Sequence, residues 1–426
     1  MPPIQDHPLR YALANELHAR PFPSAPAPGT VVYLAIKHPE GSAEEKHAAE
    51  RAHLLDLLDR HGTAHPAPGA THFSGRIGRH RLKWESHTEF SSYTAISDGV
   101  GERAFDPVEF QVFPEDWLAA APGLRVTSAS VRVVNRGSDD EVRAALADWF
   151  VPESLAVACV LDDAAVAAAD FRIDPAGHMR FALFVAAGTG KRRVGRIVQR
   201  LCEIETYKAM SMLGFAHCKD LSPQIGSLDR QLTLLMSEMS GEAAPAEVTL
   251  PKLLSTSSEL ETIAARASFR FGATGAYEAL VNQRISVLRE ERFEGRQTFA
   301  EFMMRRYEPA MRTVKSTERR LQSLSDRAIR GAELLRTKVD VERSAQNQAL
   351  LESMDRRADL ALRLQHTVEG LSVVAISYYA VSLAGYLLGP AAGAAGMSKG
   401  MLLALLTLPV VLLVWLGVRQ VRRRLE

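Results

Sequence analysis

The strongest hydrophobic pattern lies near the C-terminal end of the chain. From Leu371 to Gly389 it reads LSVVAISYYAVSLAGYLLG, and from Gly400 to Val418 it reads GMLLALLTLPVVLLVWLGV, each a run of 19 residues without one charge. At 1.5 Å per residue either run makes roughly 28 Å of helix, about the thickness of a bilayer core. The Gly, Ala and Pro-rich piece between them, Pro390 to Lys399, suits a tight connection. The pattern therefore predicts a two-helix transmembrane hairpin (371–389 and 400–418), followed by a basic tail over 419–426.

Upstream, residues 251–370 are rich in Ala, Leu, Glu, Arg, Gln and Ser and contain only one proline after Pro251, so long helices are expected. Leu321, Leu324, Ala328, Ala332, Leu335 and Val339 recur at spacings of three and four, which makes an apolar seam. Glu342 and Gln346 interrupt it, and apolar positions resume at Leu350, Met354, Ala361, Leu364 and Val368. Such a coiled-coil-like arm packs either on its own domain or on a second copy, and the polar layer would fix register. An earlier helix or helix pair carries Ile263 to Leu288, with Gly295 expected to end it. The polar stretch 241–250 reads as a linker.

Residues 31–240 alternate between periods. VVYLAIKH, RHRLKWESHTEF, SSYTAIS, Phe105 to Phe113, LRVTSASVRVV, SLAVACVLDD, AAVAAADFRI and MRFALFVAA read as strands, and Ser42 with Glu45 forms a capping box that opens a helix. A long helix is expected from Thr189 and a shorter one through SLDRQLTLLMSEM. The fold class is thus an α+β cytosolic domain with a mixed or antiparallel sheet, behind a Pro-rich segment over residues 1–30, then the helical arm and the membrane hairpin.

Charge refines this picture. Of 51 basic and 50 acidic residues, five basic and one acidic lie after Gly370, which leaves 46 against 49 before it and disfavours a nucleic-acid partner. Arg356, Arg357 and Arg363 precede the first span and Arg419, Arg422, Arg423 and Arg424 follow the second, whereas the loop has only Lys399. The positive-inside rule then puts both termini in the cytoplasm, as a multi-pass protein of the inner membrane. The N-terminal segment lacks the apolar core of a signal peptide, and three cysteines suit a reducing compartment. Gly385 and Gly389 make a G-x-x-x-G step in the first span, which favours close helix packing.

Candidate chemistry is sparse. AAGTGKRRVGR follows a strand and opens a helix, but Val185 and Arg192 break the Walker pattern, so Lys191, Arg192 and Arg193 offer at most an anion site. Ten of the thirteen histidines fall within the first 87 residues without ligand spacing; no metal site and no cofactor are expected. Lys83 to Glu89 could set a histidine beside a carboxylate for proton transfer, although hydrogen-bonded strand structure is the plainer account.

NELHARPF at 15–22, KWESHTEF at 83–90, IETYKAM at 204–210, SFRF at 268–271 and QNQALLESMDRRADLALRLQHTVEGLSVVAISYY at 346–379 together resemble the DUF3422 family over nearly the whole chain. The resemblance implies a cytosolic body with a C-terminal membrane anchor, supplies no activity, and marks His18, Arg20, Trp84, Glu85, His87 and Glu89 as motif residues. In topology alone the chain also looks like CorA-type cation transporters, but their Gly-Met-Asn signature after the first span is missing, and Gly396-Met397-Ser398 abuts the second span instead. The function expected is a membrane-anchored scaffold or sensor that self-associates through arm and first span, with the bilayer as a partner. A CorA-like oligomeric ion channel and a membrane-tethered enzyme are the alternatives.

Overall fold

The N-terminal strands assemble because their alternating residues need cover on both faces. The structure is a computed structural model, and it describes residues 4–16, 22–39, 41–240, 245–394 and 397–425. It divides into two units, Met1–Glu242 with Pro251–Gly331, and Ala243–Leu250 with Ala332–Glu426.

The first unit opens with α1 (Arg10–Glu16), β1 (Gly29–Lys37) and α2 (Ala43–Arg60), then a meander of β2 (His72–Ile77), β3 (His80–Ser86) and β4 (Phe90–Asp98). After α3 (Glu115–Ala119), the order strand, helix, three strands recurs as β5 (Leu124–Asn135), α4 (Asp139–Trp149), β6 (Ala156–Val160), β7 (Ala165–Ile173) and β8 (Met179–Val185). Ser42 with Glu45 and Ser138 with Glu141 form complete capping boxes at the starts of α2 and α4. Then come α5 (Lys191–Ser240), α6 (Ala246–Ser286), β9 (Glu291–Arg292), α7 (Phe299–Arg306), α8 (Glu308–Ala394) and α9 (Lys399–Leu425).

Among the described residues the strands form one sheet, ordered β2-β3-β4-β1-β5-β8-β7-β6-β9. Only β5 and β8 pair in parallel, so the sheet is mixed. One face packs on α2 and α3, where Val32, Leu34, Ile36, Leu82 and Trp84 meet Leu54, Leu57, Leu58 and Trp117, and further along on α4 through Val142 and Leu146. The opposite face lies against α5: Tyr33 on β1 hydrogen-bonds Thr206, and Lys83 on β3 donates to Gln199.

Helices α5, α6 and α8 run side by side in this unit. Gln224 donates to Glu259 at 3.1 Å, Ser211 and Tyr307 share a 2.8 Å hydrogen bond, and Arg320 pairs with Asp229 at 2.7 Å. Gly331 lies against Met236 and Leu253, where a Cβ would come within 2.7 Å of the Met236 sulfur. Leu321, Leu324 and Ala328 are buried here, and Leu335 and Val339 are buried in the second unit, so the seam is internal to the chain up to Val339.

Three sequence expectations change. Phe105 to Phe113 is not a strand: Asp106 caps a 3-10 helix over Pro107–Val112, because its side chain accepts from Val108 N–H and Pro107 fixes the first turn. The two helices expected after Thr189 are one, α5, which continues through Pro223. Gly295 (φ +72°) turns the chain after β9, whereas α6 already ends at Ser286.

In the second unit every residue from Asp340 to Val368 is exposed, roughly 43 Å of helix. Both α8, in its C-terminal part, and α9 are long and apolar enough to cross a membrane, and almost none of either apolar window is buried within the chain.

Glu290 immediately precedes β9, and its side chain reaches the start of α7. Its Oε2 accepts from Ala300 N–H at 2.9 Å, its Oε1 is buried without a partner among the described residues, and burial pushes the carboxyl up to about 7. A raised carboxylate contributes stability that is full below the unfolded value near 4.5 and lost as pH rises to about 7. Glu290→Gln should remove that loss. In micelles the variant is expected to match the parent closely at pH 4.5 and to exceed it by about 3 kcal/mol at pH 8, read from thermal midpoints. Parallel pH profiles for the two proteins would refute this account of Glu290.

Candidate functional site

Period two along β3 divides KWES between the faces of the sheet. Trp84 enters the core beneath α2, while Lys83 and Glu85 point to α5 and are almost fully buried. Their charges are matched: Lys83 Nζ lies 3.0 Å from Glu85 and donates to Gln199 Oε1 at 3.0 Å. Gln199 in turn donates to Glu203 at 2.7 Å, and Glu203 pairs with Arg284 from α6. Lys83, Glu85, Gln199 and Glu203, with Tyr33 and Thr206, whose oxygens are 2.7 Å apart, line a space of about 20 Å³, room for one water.

Outside this space, and sharing His87, Phe90 and Tyr207 with it, a larger cleft of about 510 Å³ opens. Its walls come from α2, the β3–β4 turn, α5 and α6. The His87 ring stacks on Phe90 at 4.3 Å, and Tyr207 stacks on Tyr277 at 5.8 Å. Glu89, buried at the same turn, pairs with Arg270. Burial, followed by the nearby Glu89 charge, pushes the Tyr277 hydroxyl well above the ordinary tyrosine range. Behind the cleft, His38 and Glu50 are both buried, with Nε2 and Oε1 2.6 Å apart. Among the described residues, His38 Nδ1 and Glu50 Oε2 have no hydrogen-bond partner.

A family model described as Protein of unknown function (DUF3422) matches residues 5–425. The chain belongs to the DUF3422 family. No curated protein matches it.

In this DUF3422 chain the motif residues do not all reach one place. Glu85 and His87 line the inner space, and His87 also lines the cleft; Glu89 stands behind the cleft, and Trp84 is on the opposite face. His18 and Arg20 lie outside the described residues. The basic residues at the start of α5 are not gathered on an anion position. Arg193 donates to the Leu161 carbonyl and faces Asp162, whereas Lys191 and Arg192 are exposed. Gly385 packs on Leu403 of α9, while a Cβ at Gly389 would meet nothing within 4 Å, so only the first glycine of the step serves a contact within the chain. Among the described residues no three His, Cys, Asp or Glu side chains gather as metal ligands. Burial is the leading cause that raises all three cysteine thiols above their ordinary range, which disfavours thiolate chemistry.

Sequence reasoning missed His38, Lys46 and Glu50 as members of the cleft region. Lys46 and Glu50 are four apart on α2, a legible pair on one helix face, but nothing in their spacing points to Tyr207 or Tyr277.

Proposed function

We propose that this DUF3422 protein is a membrane-anchored scaffold or sensor that self-associates. Two apolar helices would hold it in the cytoplasmic membrane as a hairpin, and the basic residues flanking them would keep both termini in the cytoplasm. One observation carries the self-association: Leu350, Met354, Leu364 and Val368 form a stripe on the exposed helix and are each more than half exposed. A stripe of that length calls for cover, and the continuous helix brings it directly to the first apolar segment. A second copy running parallel would cover the same stripe on both chains, with roughly 1.5–3 kcal/mol of burial for each large side chain.

An oligomeric ion pathway is the second reading. It is favoured by a groove of about 530 Å³ between the apolar helices, where Ser377, Ser382 and Thr407 stand among valines and Ser377 Oγ is buried without a partner among the described residues. Polar side chains in such a place can line a path once several copies surround it.

Cysteines placed singly at Met354 and Leu364 test the self-association. Oxidation in membranes is expected to give a covalent dimer efficiently at both sites and far less at exposed Arg356 and Asp359, which lie on the opposite side of the helix. Equal cross-linking at all four positions would mean random collision and would overturn the interface.

A further inference from the structure

Positive charge collects along one side of α5. Arg192, Arg196 and Arg200 stand four apart and so form a row on one helix face, roughly 12 Å from first to last. Arg192 and Arg196 are exposed, and neither has an ion-pair partner among the described residues. Arg200 is half-buried, and its Nη1 donates to the Val287 carbonyl at 2.9 Å, which ties the row to the loop after α6. Two more guanidinium groups come from that side: Arg284 pairs with Glu203 of α5, and Arg289 pairs with Asp162 at 2.7 Å. Arg193 also faces Asp162, so both carboxylates are already engaged. Six arginines here meet two acidic residues. Taking them from the 46 basic and 49 acidic residues before residue 371 leaves 40 against 47, so positive charge is gathered on this face of an otherwise acidic body. Like charges four apart destabilise a helix. Burial, followed by the Arg196 charge, lowers the Arg200 guanidinium below its ordinary range. A row held at such a cost is relieved by a matching row of carboxylates.

We propose that this face of α5 docks an acidic helical segment of a partner protein, with carboxylates one turn apart. Four residues rise about 6 Å on either helix, so successive carboxylates meet Arg192, Arg196 and Arg200 one for one. Each guanidinium offers a planar pair of N–H donors to a carboxylate, which a lysine row would not. A single small anion would satisfy one arginine and leave the others of the row unmatched. A nucleic acid carries its charge far beyond 12 Å and would meet the acidic excess over the rest of the body. The surface belongs to the body of the protein and does not depend on the stripe from Leu350 to Val368.

The test uses the full-length protein in mild detergent and three fluorescent probes. These are a helical peptide of about 20 residues with glutamate at every fourth position, an isomer with its glutamates scattered round the helix, and a single-stranded oligothymidylate of similar charge. The row peptide is expected to bind about fivefold more tightly than either of the others, and to weaken about tenfold between about 50 and 300 mM salt. Arg192→Glu with Arg196→Glu should weaken it at least about tenfold, while the thermal midpoint holds or rises because Arg200 gains an opposite charge four residues away. If that variant does not fold, Arg196→Gln is read instead, with a loss of about threefold. Arg266→Glu with Arg319→Glu makes the same charge change at exposed positions on α6 and α8 and should weaken binding less than about twofold. No binding of the row peptide at about 50 mM salt, or an equal loss in both double variants, would overturn the proposal. So would an isomer or an oligothymidylate that binds as tightly, and so would loss of self-association in the Arg192/Arg196 variant, which would give the face to a second copy.

Discussion

A chain that stops after Gly370 is expected to leave the membrane fraction almost completely, whereas the full-length protein should stay in the pellet after an alkaline carbonate wash. The removed part holds both apolar helices. Leu383, Leu387, Leu405, Leu408 and Leu413 are each exposed by about two thirds or more, and nothing else among the described residues covers these surfaces. In water such a surface would far exceed the apolar patch a soluble monomer tolerates. In a bilayer each central Leu, Ile or Val contributes about −0.3 to −0.6 kcal/mol to insertion, which over two such helices is decisive. The shortened protein should keep its sheet, since both large apolar clusters lie between Val32 and Phe293. A shortened protein that remains in the pellet while folded would show that the body itself binds the membrane.

Asp170→Ala should be the most damaging single change in the sheet. Asp170 is fully buried where β7 departs from its register with β8, and Phe171 beside it has φ +52°. Its Oδ1 accepts from Arg172 N–H at 3.2 Å, and its Oδ2 accepts from Val151 N–H at 3.2 Å and from Arg180 at 2.7 Å. Removing the carboxylate strips three donors of their acceptor and leaves the Arg180 charge without its partner. Breaking a buried pair in this way costs about 3–5 kcal/mol, roughly 5 °C in the thermal midpoint of a body of this size. Asp170→Asn, which keeps an acceptor and loses the charge, should cost less. Asp140→Ala, at an exposed carboxylate, should stay within about 0.5 kcal/mol. Equal midpoints for Asp170→Ala and Asp140→Ala would refute the role assigned to Asp170.

Local chemistry made much of this fold legible. The Ser42/Glu45 box opens α2 as its spacing requires, and Asp174 to Gly177 turns β7 into β8. Where two local signals competed, the weaker-looking one prevailed. Val108, Phe110 and Val112 alternate as a strand would, yet the Asp106-Pro107 start made a 3-10 helix. Two helices were expected where α5 runs as one through Pro223; Gln224 and Asp229, just after the proline, reach α6 and α8, and packing holds the helix continuous there. The candidate site was legible only in part. Glu85, His87 and Glu89 stand in one short motif, whereas His38, Glu50, Tyr207 and Tyr277 arrive from four other places in the chain, and only the fold brings them near. The internal seam could not be separated from an intermolecular one by spacing, because Leu321 and Leu364 occupy the same kind of position. Cover differs between them: the first is buried within the chain and the second is exposed.

The central claim, a membrane-anchored protein that self-associates through the stripe from Leu350 to Val368, is tested most directly by the mass of the full-length protein in mild detergent. Light scattering corrected for detergent should give at least twice the 46.7 kDa of one chain. Leu350→Glu with Leu364→Glu should reduce it to a single chain without loss of helix content, because charge on the stripe opposes its burial. A parent protein with the mass of one chain at every concentration measured would contradict the claim, and with it the oligomeric ion pathway.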